Sequence, residues 1–277
     1  MPKVTKQTRG TGRLPQSDAL AGVMSVSEMP AIGLKACVYG RGKTGKTTLA
    51  CSFPGPLLII GTEDGTKSVR SIKGVDFLRL THSSTVDGVA AAVPGRYNSI
   101  VLDTAGGLQD MVLKEILGLD DIPVERSWGM AGREQWQACG SQTKERLRSL
   151  LNLADTDGVN VIIVAHERNF NDEGSGSDLI FPTVGAALTP STAGWLNGAC
   201  DYICQTFIRE QTRDRTVKVG GKETPMTTKT GRVEYCLRVG PHPIYMTGFR
   251  RVHKSGEVMP DVLVDPSYGK LRELIDS

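Results

Sequence analysis

Gly40, Gly45, Lys46 and Thr47 match G-x-x-x-x-G-K-[ST] without a mismatch, and no other stretch limits the fold and chemistry of the chain as tightly. In such a loop the glycines let backbone N–H groups, here those from Gly40, Arg41, Gly42, Lys43, Thr44 and Gly45 to Lys46, Thr47 and Thr48, wrap a phosphate chain that side chains would hold off. The Lys46 ammonium then reaches the β- and γ-phosphates, and the Thr47 hydroxyl sits on Mg2+. The flanks agree. Leu34-Lys-Ala-Cys-Val-Tyr39 reads as an apolar strand, and Thr48-Leu-Ala-Cys51 as a helix whose start faces the phosphates. Such a unit predicts an α/β domain that binds a nucleoside triphosphate with Mg2+.

Further along, Leu57-Leu-Ile-Ile60 is a continuous apolar run of the kind buried in a parallel sheet, and it leads to Glu63. A carboxylate at the C-terminal edge of such a sheet stands where open α/β folds bind ligands. Ser84-Thr-Val-Asp87 has the form of a capping box opening a short helix. Ser99-Ile-Val-Leu102 ends in Asp103, which the strand would fix as a Mg2+ ligand beside Thr47. Residues 108–117 read as a helix. Trp136, Cys139, Thr143, Leu147, Leu150 and Ala154 recur at three and four, the apolar stripe of a long helix that Gly158 stops. Val159-Asn-Val-Ile-Ile-Val164 is another buried strand, ending near His166. Residues 169–197 lack periodicity and read as a long functional loop. Residues 202–208 and 233–239 read as an antiparallel hairpin around a Lys/Gly/Thr-rich excursion, 244–249 as a last strand and 268–275 as a closing helix.

Charge narrows the partner. The net charge is +3, yet residues 209–254 hold eleven Lys/Arg against Glu210, Asp214, Glu223 and Glu234, a net of +7, and residues 1–16 hold four Lys/Arg and no acid. Beside a nucleotide loop, such segregation points to a polyanion, and nucleic acid above all. Residues 1–29, rich in Gly, Thr, Ser and Lys, read as a flexible basic arm, leaving 30–277 for the nucleotide domain. No apolar run is long enough to span a membrane, and the basic N-terminus lacks the apolar segment of a secretory signal. Six cysteines without a C-x-x-C pair argue for reduced thiols in a cytoplasm rather than for disulfides or zinc. Asp103-Thr-Ala-Gly106 fits the D-x-x-G of GTPases, but no Asn/Thr-Lys-x-Asp follows, which turns the reading from GTP to ATP.

The order of strand, phosphate loop, helix, strand to Glu63, helix, strand to Asp103, helix and strand to His166 resembles the RecA-like ATPases. More narrowly, Tyr39-Gly-Arg-Gly-Lys-Thr-Gly-Lys-Thr47, Pro54-Gly-Pro-Leu-Leu58, Thr62-Glu-Asp-Gly65 and Val164-Ala-His-Glu-Arg168 look like the bacteriophage RecA-like single-strand annealing ATPases, across residues 31–209. The resemblance implies a RecA-like P-loop core, a mostly parallel sheet flanked by helices, here with a C-terminal antiparallel hairpin. It implies that Glu63 activates the attacking water, that His166 stands at the γ-phosphate sensor (where the family usually has Gln), and that Asp103 serves Mg2+. A cation from the next subunit would complete the site, and Arg250 and Arg251 are the candidates. Also implied are ATP hydrolysis, single-stranded DNA as partner, a homo-oligomeric ring or filament, a single-strand-binding protein as further partner, and the host bacterial cytoplasm as location. The family's DNA loops fall at 105–107 and 169–197, with Phe170 as a stacking residue. Asp172, Glu173 and Asp178 in the second loop move the expected backbone contacts to 209–254. A helicase-like motor, and an ATP-dependent regulator that never touches DNA, are alternatives on the same core.

Overall fold

Runs 34–39, 57–60, 99–102 and 159–164 are nearly continuously apolar rather than alternating, broken only near their starts by Lys35, Ser99 and Asn160, because each is a parallel strand covered on both faces. The structure is a computed structural model, and it describes residues 23, 25, 32–63, 67, 69–119, 131–170, 183–219, 222–250 and 260–277. In chain order the elements are β1 (Lys35–Gly40), α1 (Lys46–Ala50), β2 (Leu57–Gly61), β3 (Val75–Arg79), α2 (Thr85–Ala92), β4 (Ser99–Asp103), α3 (Ala105–Leu117), α4 (Arg133–Asp157) and β5 (Asn160–Asn169). They continue with β6 (Val184–Ala186), α5 (Pro190–Ala199), β7 (Tyr202–Val219), β8 (Lys222–Arg238), β9 (Gly248–Phe249), β10 (Val262–Val264) and α6 (Tyr268–Asp276).

The main path of the sheet runs β10-β8-β7-β1-β5-β4-β2-β3. From β3 to β7 all pairings are parallel; β8 then runs antiparallel to β7, and β10 to β8. The element order is the one expected of a RecA-like core, with β3 added at one edge. Successive residues of the central strands serve opposite faces. Tyr39, Ile60, Leu102 and Ile163 pack with Leu108, Leu147, Leu150 and Leu196 of α3, α4 and α5. Val38, Ile59, Val101 and Ile162 pack with Leu49, Phe53 and the α6 residues Leu271 and Leu274. Fully burying each such side chain is worth about 1.5–3 kcal/mol. Gly158 ends α4 in the left-handed conformation, at φ 67.

Several expectations are corrected. Ser84 makes no side-chain cap to α2; its hydroxyl turns to the His82 ring, 2.8 Å away. Residues 105–107 are not a loop but the first turn of α3, since the Thr104 hydroxyl accepts the Gly107 N–H at 3.1 Å and caps the helix. The stretch 169–197 contains β6 and most of α5; residues 171–182 lie outside the described residues. Of the excursion at 218–231, residues 218–219 and 222–231 belong to the strands of one long hairpin, β7 and β8. Of the last strand expected at 244–249, only Gly248 and Phe249 are in one. Strands β3 and β10 had no sequence signal: β3 is largely exposed and interrupted by Asp76, and β10 is only three residues long. The expected arm at 1–29 lies outside the described residues apart from Val23 and Ser25.

Candidate nucleotide site

A cleft of about 730 Å3 opens at the C-terminal ends of β1, β2, β4 and β5 and gathers Lys46, Thr47, Glu63, Asp103, Thr104 and His166. Gly42, Lys43, Thr44, Gly45 and Thr48 line it as well. Those strand ends meet because β5 lies between β1 and β4, with Gly40 paired to His166 and Asp103 to Val164.

The phosphate loop is fixed from both sides. A Cβ at Gly40 would lie 2.4 Å from the Thr206 carbonyl oxygen, so only glycine admits β7 so close. The Thr44 and Thr206 hydroxyls share a 2.6 Å hydrogen bond. Lys46 is 7% exposed. Its ammonium donates to the carbonyls of Gly40 at 2.9 Å and Arg41 at 2.6 Å. Burial pulls its pKa down, against the carboxylates of Asp103, Glu167 and Glu63, which pull it up.

The Thr47 hydroxyl donates to Asp103 Oδ2 at 2.7 Å. Burial raises the Asp103 pKa, while that hydrogen bond and the Lys46 charge lower it. A hydroxyl and a carboxylate turned into one cleft are hard oxygen donors and fit Mg2+, which keeps most of its ligands as water and phosphate oxygens. Glu63 accepts from the Thr104 hydroxyl at 3.1 Å and stands 3.7 Å from His166 Nε2. Both side chains are about half exposed, open to a water. Thr104, not Glu63, caps α3, so the Glu63 carboxylate is left for the cleft.

The remaining predicted residues fall elsewhere. Arg41 points out of the loop and pairs with Glu167 at 2.7 Å. Arg250 lies by the start of β7, at the end of the sheet opposite the cleft, and pairs with Asp201 at 2.8 Å. Arg251 lies outside the described residues. Phe170 packs on the core beneath the Arg168 guanidinium, so its ring is no open stacking platform.

Three lining residues escaped sequence reasoning: Tyr235 of β8, and Asp265 and Pro266 after β10. The only signal was the turn-forming Asp-Pro pair; nothing in Val-Glu-Tyr-Cys marks Tyr235. A second unpredicted set is polar. Glu167 also accepts from the Gln205 amide at 3.2 Å, and Gln205 accepts in turn from Arg238 at 3.1 Å. All six cysteines are free and buried, and burial raises the Cys37 thiol to about 12 and Cys51 to about 11, so neither is a nucleophile at neutral pH.

No curated protein matches the chain. Among solved structures it is similar to the crystal structure of the RadB recombinase, with a TM-score of 0.41 and 16% identity over 74% of this chain and 87% of that one. No helix among the described residues is long and apolar enough to cross a membrane. Residues 32–234 match the family described as AAA domain, from just before β1 to the residue before Tyr235, and the chain belongs to that family.

Proposed function

We propose that the protein is a Mg2+-dependent ATPase that acts on single-stranded DNA in bacteriophage recombination or annealing. One observation carries the ATPase reading: a buried lysine, a Thr–Asp pair of hard donors and a half-exposed glutamate line one cleft at the phosphate loop. In this reading Lys46 leaves the two loop carbonyls for the phosphates. Mg2+, held by Thr47 and Asp103, supplies positive charge to the phosphate oxygens. Glu63 takes the proton of the attacking water, and His166 beside it orients that water toward the γ-phosphate. The ATP choice rests on the missing guanine motif, and the phage and annealing assignment on the sequence resemblance.

The DNA reading rests on the hairpin. Beyond the five residues paired to β1, β7 and β8 continue together to Val219 and Lys222. Arg209 is tied to Glu234 across the strands and Lys229 to Glu210, while Arg213 and Arg232 are exposed on the extension. A basic ribbon of this kind suits contacts to a phosphate backbone. A ring or filament, with Arg250 or Arg251 reaching a neighbour's site, belongs to the same proposal, as does a single-strand-binding protein as partner.

The test is phosphate release at saturating ATP and Mg2+, with and without single-stranded DNA. Release that rises several-fold with DNA, and is lost in Glu63→Gln, is expected. Release that DNA leaves unchanged would move the reading to an ATP-dependent regulator.

A further inference from the structure

We infer that Tyr235, Asp265 and Pro266 form the seat of the nucleotide's purine base, with the Tyr235 ring as stacking platform and the Asp265 carboxylate as acceptor for the exocyclic amine of adenine. This rests on the triphosphate reading above and adds to it a base-recognition site built entirely outside the segment that matches the family.

The cleft is chemically divided. One part holds Glu63, Asp103 and His166, where the transferring phosphoryl must lie; the other holds Tyr235 and Pro266, which offer a phosphate nothing but do offer a flat apolar ring a surface. Tyr235 is 44% exposed. Its ring lies against the phosphate loop: a Cβ added at Gly45 would meet Tyr235 Cδ1 at 3.3 Å. Both line the cleft: Asp265, like Tyr235, is exposed, and its charge is felt at Cys236, the residue next to Tyr235.

Both are nevertheless placed by backbone. Tyr235 stands opposite Ile208 in the β7–β8 ladder. The Asp265 N–H donates to the Tyr235 carbonyl at 2.8 Å, and Asp265 adopts φ 48, a left-handed conformation that Asp tolerates better than most residues. Pro266 follows, and the next turn is pinned where the Tyr268 N–H donates to Ser52 beyond α1, with Tyr268 and Phe53 rings 4.9 Å apart. Platform, acceptor and phosphate loop are thus held in one frame before any ligand arrives. A carboxylate only accepts, so it favours a base carrying an amine there and opposes one carrying a carbonyl oxygen. Adenine's N6 meets that requirement; hypoxanthine's O6 does not.

The experiment compares ATP, ITP and inorganic tripolyphosphate, each with Mg2+, by calorimetry on the full chain and its variants. Tyr235→Ala should weaken ATP at least tenfold and leave tripolyphosphate unchanged, as removal of a stacking face does; Tyr235→Phe should bind ATP like the wild type. Asp265→Ala should bring ATP and ITP toward equal affinity, by weakening ATP and by relieving ITP of the repulsion at its O6. Equal losses for ATP and tripolyphosphate in Tyr235→Ala would make the ring a mere prop of the loop and overturn the inference, as would an unchanged ATP affinity. A wild-type chain that binds neither ATP nor tripolyphosphate, or a Lys46→Ala variant that binds tripolyphosphate as before, would sink the triphosphate reading itself, and the base seat with it.

Discussion

The Thr47 hydroxyl and the Asp103 carboxylate hold each other at 2.7 Å across a gap that the backbone does not bridge, because β5 lies between β4, which ends at Asp103, and β1, which leads into the helix of Thr47. Asp103 is half-buried, and that burial raises its pKa. A carboxyl with a raised folded pKa stabilises the fold only while protonated, below the unfolded value, and that contribution is lost as pH rises through the folded value. At neutral pH the ionised Asp103 is therefore a liability of the free protein. Asp103→Asn should raise the melting temperature without ligand and abolish Mg2+-dependent turnover. Thermal melts at pH 7 and a phosphate-release assay check both halves; a lower melting temperature would refute the first.

The same shift sets a pH dependence. Mg2+ needs the ionised carboxylate, so Mg2+ affinity should begin to fall on acidification above the usual carboxylate range. Titrating Mg2+ against bound nucleotide between pH 4 and 8 reads it directly, and affinity that holds constant down to the ordinary Asp range would speak against the burial argument.

On the proposed reading Glu63 serves the chemistry and Lys46 the binding. Glu63→Gln should keep nucleotide affinity and lower turnover by about 10²–10⁴. Lys46→Ala should remove binding itself. Near-normal turnover in the glutamine variant would return the base role to Asp103.

For DNA the measure is the salt slope. Each backbone contact on a single strand adds about 0.7 to it. Neutralising Arg213, Arg215, Lys218 and Lys222 together should flatten the slope by about 2–3 and weaken all sequences alike. A slope that stays put would mark the hairpin as a solvated ribbon.

A stability control lies far from any ligand. A Cβ at Gly33 would sit 2.1 Å from the Val159 carbonyl oxygen, where β5 begins beside α4's end. Backbone cannot yield as a side-chain tip can. Gly33→Ala should cost about 1–3 kcal/mol in denaturant unfolding while folded protein still binds nucleotide.

What could be read beforehand follows from how locally each feature is encoded. The phosphate loop was legible from its motif, and Asp103, Glu63 and His166 from the ends of continuous apolar runs together with the resemblance to RecA-like ATPases; the cleft brings them together. The α4 stripe was equally plain, with Cys139, Thr143, Leu147, Leu150 and Ala154 all buried. Strand β3 was not, since Asp76 and Phe77 at the sheet's edge face solvent and break the run. Thr206, Tyr235 and Asp265 reach the loop only through pairings made across more than 150 residues, and no short-range pattern announces such a meeting. Residues 105–107 were expected as a loop only because the resembling family places a DNA loop after the Asp103 strand, whereas here one hydroxyl, on Thr104, suffices to start the helix.

Strand β7 runs on from the core sheet along the whole hairpin, with one register shift against β8 between Glu210 and Thr212. Its first five residues are hydrogen-bonded to the strand that carries the phosphate loop, with Thr206 touching that loop, and thirteen more lead on to Val219. At about 3.3 Å per residue the free part is about 40 Å long. Pivoting it by about 5° at Thr206 would swing its tip by about 3–4 Å, on the same rise per residue. A displacement too small to break one hydrogen bond at the loop is thereby geared up to the spacing of a phosphate contact at the far end, and the stiffness of the ladder sets how much of the stroke arrives.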